Sequence, residues 1–175
     1  VEAHDDSDDN NNKPQSKMIN TENLMAQKVY IADDYTHKIA MMDHLMDEFA
    51  GESTIIYTAT DKAAKTLQEN LSNHGHAAEL IDEVDESELT EFDILIYSDQ
   101  SKADIDNELM SNLGENIINF DLPNRIDNYI DRLNRHNQKR EKPTLLILDG
   151  HNFNELKSLE KALGDKLDQI TKLFD

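Results

Sequence analysis

The chain has 175 residues, enough for one domain with its own core, and carries 17 Lys and Arg against 37 Asp and Glu, a formal net charge of -20. It contains no cysteine, which excludes disulfides, thiolate zinc sites and cysteine nucleophiles and is compatible with a cytoplasmic location. So acidic a chain repels phosphate backbones at long range, and no apolar run approaches the roughly 18 residues of a membrane span, so no membrane partner is expected.

Residues 1–20, VEAHDDSDDNNNKPQSKMIN, combine acidic and Asn runs with almost no apolar content. Such a segment cannot offset its ordering entropy and is predicted to be a disordered acidic arm or linker, with the folded domain over 21–175. From Gln27 onward β-rich runs alternate with helical patterns, which predicts βαβ units and a parallel sheet. The predicted strands are Lys28–Ala32, Thr54–Thr58, Ala77–Ile81, Asp93–Tyr97, Asn116–Phe120 and Thr144–Leu148. Several are continuous apolar runs, as expected when helices cover both sheet faces.

Apolar residues at helical spacing mark the intervening helices: Ile39, Met42, Leu45, Met46 and Phe49, then Ala63, Ala64, Leu67 and Leu71, then Ile126, Tyr129, Ile130 and Leu133. A helix-like segment covers Asn107–Gly114, and a last helix carries Leu156, Leu159, Leu163, Leu167, Ile170 and Leu173. Thr60 and Asp61 look like a helix start, and Gly75 after His74 like its end. The expected fold is α/β with three layers, and its ligands belong at the carboxyl edge of the sheet. The loops there are Ala59–Lys62, Ser98–Asp106, Leu122–Asp127 and Asp149–Asn154.

The one clearly basic stretch holds Arg125, Arg132, Arg135, Lys139, Arg140 and Lys142 against Asp127, Asp131 and Glu141. Within it, Ile117–Arg140 reads IINFDLPNRIDNYIDRLNRHNQKR: a short apolar run ending in F-D-L-P, then a helix with arginines three residues apart. That pattern resembles the end of the second, C-terminal RecA-like domain of bacterial-type DEAD-box RNA helicases. Four further segments extend the resemblance from about Gln27 to about Leu163. QKVYIADDYTHKIAMMDHLM looks like the first strand and Leu-rich helix, STIIYTAT and GHAAELID like two later strands, and FDILIYSDQSKADID like the family's strand and loop ending in an aspartate.

The resemblance implies a RecA-like fold of the P-loop NTPase type and a set of site residues. Arg135 matches the middle arginine of the finger motif that reaches the ATP γ-phosphate, and Arg132 its first, usually structural, arginine. Asp106 matches the aspartate that contacts the ATP ribose, while Ser98 and Asp99 match a Thr-Asp pair that helps hold RNA. Thr60, Lys102 and Arg125 join Ser98 as the side chains expected at RNA. The family's motifs are also eroded here. Its last finger arginine is Gln138, its His is Asp131, and its two glycines are Asn134 and Asp104. The basic turn and helix that contact RNA phosphates are replaced by the acidic stretch Ile81–Glu91, IDEVDESELTE.

No Walker A loop is present, so the chain alone is not expected to hydrolyse ATP. ATP and Mg²⁺ are expected only with an N-terminal RecA-like domain in the same or another chain. The implied function is a degenerate C-terminal helicase domain that contributes RNA or protein contacts. No metal is expected, since His37 and His44 share a helix face without a motif, and His74 and His76 flank a turn.

Two other readings compete with this one. A receiver or pseudo-receiver domain would use the acidic pair after KVYIADDY and a phosphoacceptor-like Asp99, although about 65 residues separate Asp34 from Asp99 where receivers need roughly 40. A nucleic-acid mimic would explain the charge alone.

Overall fold

A computed structural model describes residues 26–136 and 142–163. The predicted arm at 1–20, together with Gln138, Lys139, Arg140 and the helical positions Leu167, Ile170 and Leu173, lies outside the described residues.

The elements in chain order are β1 (Gln27–Ala32), α1 (Tyr35–Glu48), β2 (Thr54–Thr58), α2 (Asp61–Asn73), β3 (Glu79–Leu80), β4 (Ile94–Ser98), α3 (Asn107–Asn112), β5 (Asn116–Asn119), α4 (Ile126–Asn134), β6 (Thr144–Asp149) and α5 (Phe153–Leu163). All strand pairs are parallel, in one six-stranded sheet ordered β1-β6-β5-β2-β4-β3. The acidic stretch Ile81–Glu91 forms two 3-10 turns, Ile81–Glu83 and Glu86–Glu91. They leave β3 only two residues long, shorter than the sequence predicts.

Successive strand residues point to opposite faces, and both faces are apolar. Ile56, Ile96, Ile118 and Ile147 pack under α1 and α2 with Met41, Met42, Leu45, Leu67 and Leu71. Val29, Ile55, Tyr57, Leu95, Ile117 and Leu146 pack on the other side with Met110 of α3, Tyr129 and Leu133 of α4, and Leu159 of α5. Each buried Leu, Ile or Met is worth about 1.5–3 kcal/mol against about 0–1 kcal/mol for a surface ion pair, so these two cores hold the layers together. Gly114 stands at φ +74 before β5, and a Cβ there would come 3.0 Å from Ile55 Cγ1, so the tight approach of α3 to the sheet requires glycine.

This topology excludes the receiver reading. In a receiver the first strand lies inside the sheet, beside the strand that ends in the phosphoacceptor. Here β1 is an edge strand, with β6, β5 and β2 between it and β4. Four strand spacings of about 4.8 Å put the Asp33–Asp34 turn and Asp99 about 19 Å apart, too far to share one cation.

Candidate functional site

The carboxyl edge of β4 and β5 is tied to α4 by one side chain. Arg132 is fully buried, and its Nε and Nη2 donate to the two carboxylate oxygens of Asp99 at 2.9 and 2.7 Å. Its Nη1 donates to the Asp121 carbonyl at 2.7 Å and to Asn119 Oδ1 at 3.2 Å. Burial opposes the charge on Arg132, but the Asp99 hydrogen bonds and the charges of Asp99 and Asp121 outweigh it, and the guanidinium pKa lies above its ordinary value. A bidentate fork with every polar direction filled is the geometry in which a buried ion pair recovers its desolvation cost.

Around this fork sit two charged groups that the sequence reading did not single out. Lys38, on the first turn of α1, is 4% exposed and lies 4.2 Å from the centre of the Phe120 ring. Burial lowers its pKa, while the charges of Asp121 and Asp149 oppose the shift. The Asp121 carboxyl meets Arg132 only at 3.4 Å, and burial raises its pKa against the pull of Arg132 and Lys38. Asp121 belongs to the F-D-L-P run, so its place at the strand end was legible; the buried lysine reads as an ordinary surface residue of an amphipathic helix.

One helical turn on, Arg135 has a different setting. It is the C-cap of α4, and its guanidinium lies 4.7 Å from the centre of the Tyr97 ring and 5.7 Å from that of Tyr57. Its Nη1 is buried without a hydrogen-bond partner among the described residues. The neighbouring His136 is buried, with Nε2 2.5 Å from the Tyr57 hydroxyl. Burial raises the Tyr57 pKa well above its ordinary range, opposed chiefly by Arg135, so the hydroxyl keeps its proton. Swinging Arg135 out to a phosphate would forfeit about 0.5–2 kcal/mol of cation–π attraction and would give Nη1 a partner. Neither Tyr57 nor His136 follows from local pattern, because their pairing spans β2 and the end of α4.

The remaining predicted residues are spread along the same edge, and most are committed to local structure. Thr60 caps α2, its Oγ1 accepting from Ala63 N at 3.0 Å. Ser98 is 5% exposed, and its Oγ accepts from Gln100 N at 3.0 Å. Asp106 caps α3 by accepting from Leu109 N at 3.3 Å, while its own N–H donates to Glu86 at 3.1 Å. Arg125 precedes α4 and pairs with Asp127 at 3.1 Å, and Lys102 is exposed. The structure brings Ser98 together with Asp61, next to Thr60, in a depression of about 210 Å³ that also has Asp82 and Glu83 on its wall. Lys102 and Arg125 do not line it.

No protein-family model matches the chain, and no curated protein matches it in sequence. Solved structures do match in fold. The chain is 23% identical to the E. coli DEAD-box protein SrmB in a complex with regulator of ribonuclease activity A, with a TM-score of 0.57 over 85% of this chain and 89% of that one. Against the C-terminal domain of the DEAD-box protein Dbp5 the identity is 20% and the TM-score 0.63, covering 86% of this chain and 91% of that one. Against S. cerevisiae Dbp5 bound to RNA and ADP BeF3 the values are 22% and 0.64, covering 85% of this chain but 41% of that one. The fold is therefore that of the C-terminal RecA-like domain of DEAD-box RNA helicases, and the chain spans less than half of the longer Dbp5 chain. No helix among the described residues is long and apolar enough to cross a membrane.

Proposed function

We propose that this chain is the C-terminal RecA-like domain of a DEAD-box-like ATP-dependent RNA helicase in which the scaffold survives and the ligand contacts have been eroded. It is non-catalytic by itself, works in the cytoplasm beside an N-terminal RecA-like domain, and contributes protein contacts and at most weak RNA contacts. The observation that carries this reading is the contrast along one helix. Arg132 keeps a complete buried network, while Arg135 rests on Tyr97, with Asp131 and Asn134 exposed beside it.

The electrostatics agree. The depression beside Ser98 is walled by Asp82 and Glu83, and Asp104 is exposed on the same loop as Lys102. Carboxylates at these places repel a phosphate backbone, and no basic helix among the described residues compensates for them. The SrmB complex with a regulator protein offers a precedent for protein docking in this fold class.

The test is titration of the chain into labelled single-stranded RNA at low salt, with and without ATP and Mg²⁺, alone and mixed with an N-terminal RecA-like domain. The expected result is no ATP hydrolysis by the chain alone and weak, salt-sensitive RNA binding that ATP does not tighten. Any residual binding should weaken further in Arg135→Gln combined with Lys102→Ala. A saturable, ATP-dependent gain in RNA affinity with the added domain would show intact motifs and overturn the reading.

A further inference from the structure

The edge of the sheet opposite Arg132 carries a cluster of two imidazoles and two carboxylates. Asp43 and Asp47 lie one turn apart on α1 and share a face. The imidazoles come from the end of α2, where the chain makes a Schellman cap. His76 N–H donates to the Leu71 carbonyl at 2.8 Å, Gly75 N–H donates to the Ser72 carbonyl at 3.0 Å, and Gly75 takes φ +85. That cap usually sets an apolar residue just past the glycine, against the helix. Here the position is His76, fixed by the backbone and turned to α1.

Its Nε2 lies 2.6 Å from one oxygen of Asp43 and 3.9 Å from Asp47 Oδ1, while His74 Nδ1 stands 3.6 Å from the other Asp43 oxygen. One donor atom each from Asp43, Asp47 and His76 falls within 4.8 Å of the others. The His76 side chain is 13% exposed and that of Asp47 is 75% exposed, so the cluster is anchored on one side and open to solvent on the other.

We propose that Asp43, Asp47 and His76 form a binding site for a divalent transition metal, zinc by its donor set, with water in the fourth position and His74 as a positioning residue for Asp43. Metal–ligand bonds of about 2.0–2.2 Å place tetrahedral donors about 3.4 Å apart, and the His76 Nε2 distances of 2.6 Å to Asp43 and 3.9 Å to Asp47 lie on either side of that spacing. Charge supplies the driving force. The two carboxylates gather around His76 Nε2, Asp43 at 2.6 Å and Asp47 at 3.9 Å, on a chain of net charge -20, and a dication neutralises them. An imidazole among the donors favours zinc, cobalt or nickel over magnesium or calcium, which prefer oxygen alone. A bound ion would pin the end of α1 to the turn after α2. The two carboxylates are some thirty residues from His76 in sequence, which is why inspection of the histidines by themselves predicts no metal.

The test uses Co²⁺ as a spectroscopic probe on the full chain, followed by Zn²⁺ displacement. The expected result is saturable visible absorption at one ion per chain, reversed by Zn²⁺ and untouched by excess Mg²⁺. His76→Gln and Asp47→Asn should each weaken binding by about tenfold or more. Asp47 contacts the cluster only at 3.9 Å, so its substitution reads metal binding with little effect on the fold, which circular dichroism verifies. Absence of saturable binding would overturn the proposal. So would binding unchanged in Asp47→Asn and His76→Gln, which would locate the ion on other residues. The RNA reading stands or falls separately, since it concerns the opposite edge of the sheet.

Discussion

Arg132 and Arg135 are the same residue type, three positions apart on one side of one helix, and they show how partners rather than residue identity set a role. Arg132 meets a carboxylate pair, an amide and a carbonyl that together fill its fork, and it has become part of the core. Arg135 meets two tyrosine faces and a single hydroxyl, that of Tyr57, and one of its nitrogens stays unpartnered among the described residues. A fully satisfied buried cation is fixed in place, whereas one left with an unpartnered nitrogen keeps a reason to move.

The sharpest way to break this comparison is Arg132→Ala. It strands Asp99 and Asp121 at the sheet edge, and the expected loss is about 3–5 kcal/mol in urea unfolding. A loss below about 1 kcal/mol would mean that the fork is ornamental. Next in size is Tyr57→Phe, which removes the hydroxyl from His136 Nε2 while keeping the ring under Arg135. The expected cost is about 1–2 kcal/mol by the same assay, because a buried imidazole nitrogen loses its partner.

Arg135→Ala should cost about 1–2 kcal/mol, since ring contacts and one neutral-acceptor contact to Tyr57 are lost and no carboxylate is stranded. Equal costs for the two arginines, measured side by side, would erase the distinction between them. The smallest effect concerns Asp121. Burial raises its folded pKa above the unfolded value, so between the two the folded state binds more protons and stability falls as pH rises. Asp121→Asn removes that slope. The urea midpoint of the variant relative to the parent should therefore climb as pH rises from about 4 through the raised value, and a flat difference would show that Arg132 dominates the carboxyl.

Most of the architecture was legible in the sequence. Runs such as Thr54–Thr58 and Thr144–Leu148 are apolar on both faces, and only a covered parallel sheet uses such strands. Thr60 and Gly75 marked the ends of α2 because capping is local chemistry. The extent of β3 was not legible. Its predicted span, Ala77–Ile81, looks like a full strand, but Ile81 turns into the 3-10 segment and packs its side chain into the core instead.

At the site, the resemblance located Arg132 and Asp99, whereas the tyrosine bed of Arg135, the buried Lys38 and the Asp43–His76 cluster depend on contacts between elements distant in sequence. Pattern reading carries no signal for such contacts. The receiver reading failed for the same reason, since it needed β1 and β4 to be neighbours and only the sheet order shows that they are not.

The sheet order also bears on how the chain acquires its shape during synthesis. β2 pairs with both β4 and β5 within the middle of the chain, but β1 has a single neighbour, β6, whose Thr144 pairs with the much earlier Gln27. The first strand must therefore wait until nearly all of the described chain has emerged. Meanwhile Met41, Met42, Leu45 and Met46 of α1, which cover the sheet beside it, lack part of their floor. Long-range closure of this kind is slow and leaves apolar surface exposed to other chains. A nascent protein halted before Thr144 is thus expected to be a chaperone client, and one released after Leu163, when Leu156, Leu159 and Leu163 can cover the other face, is expected to fold without assistance.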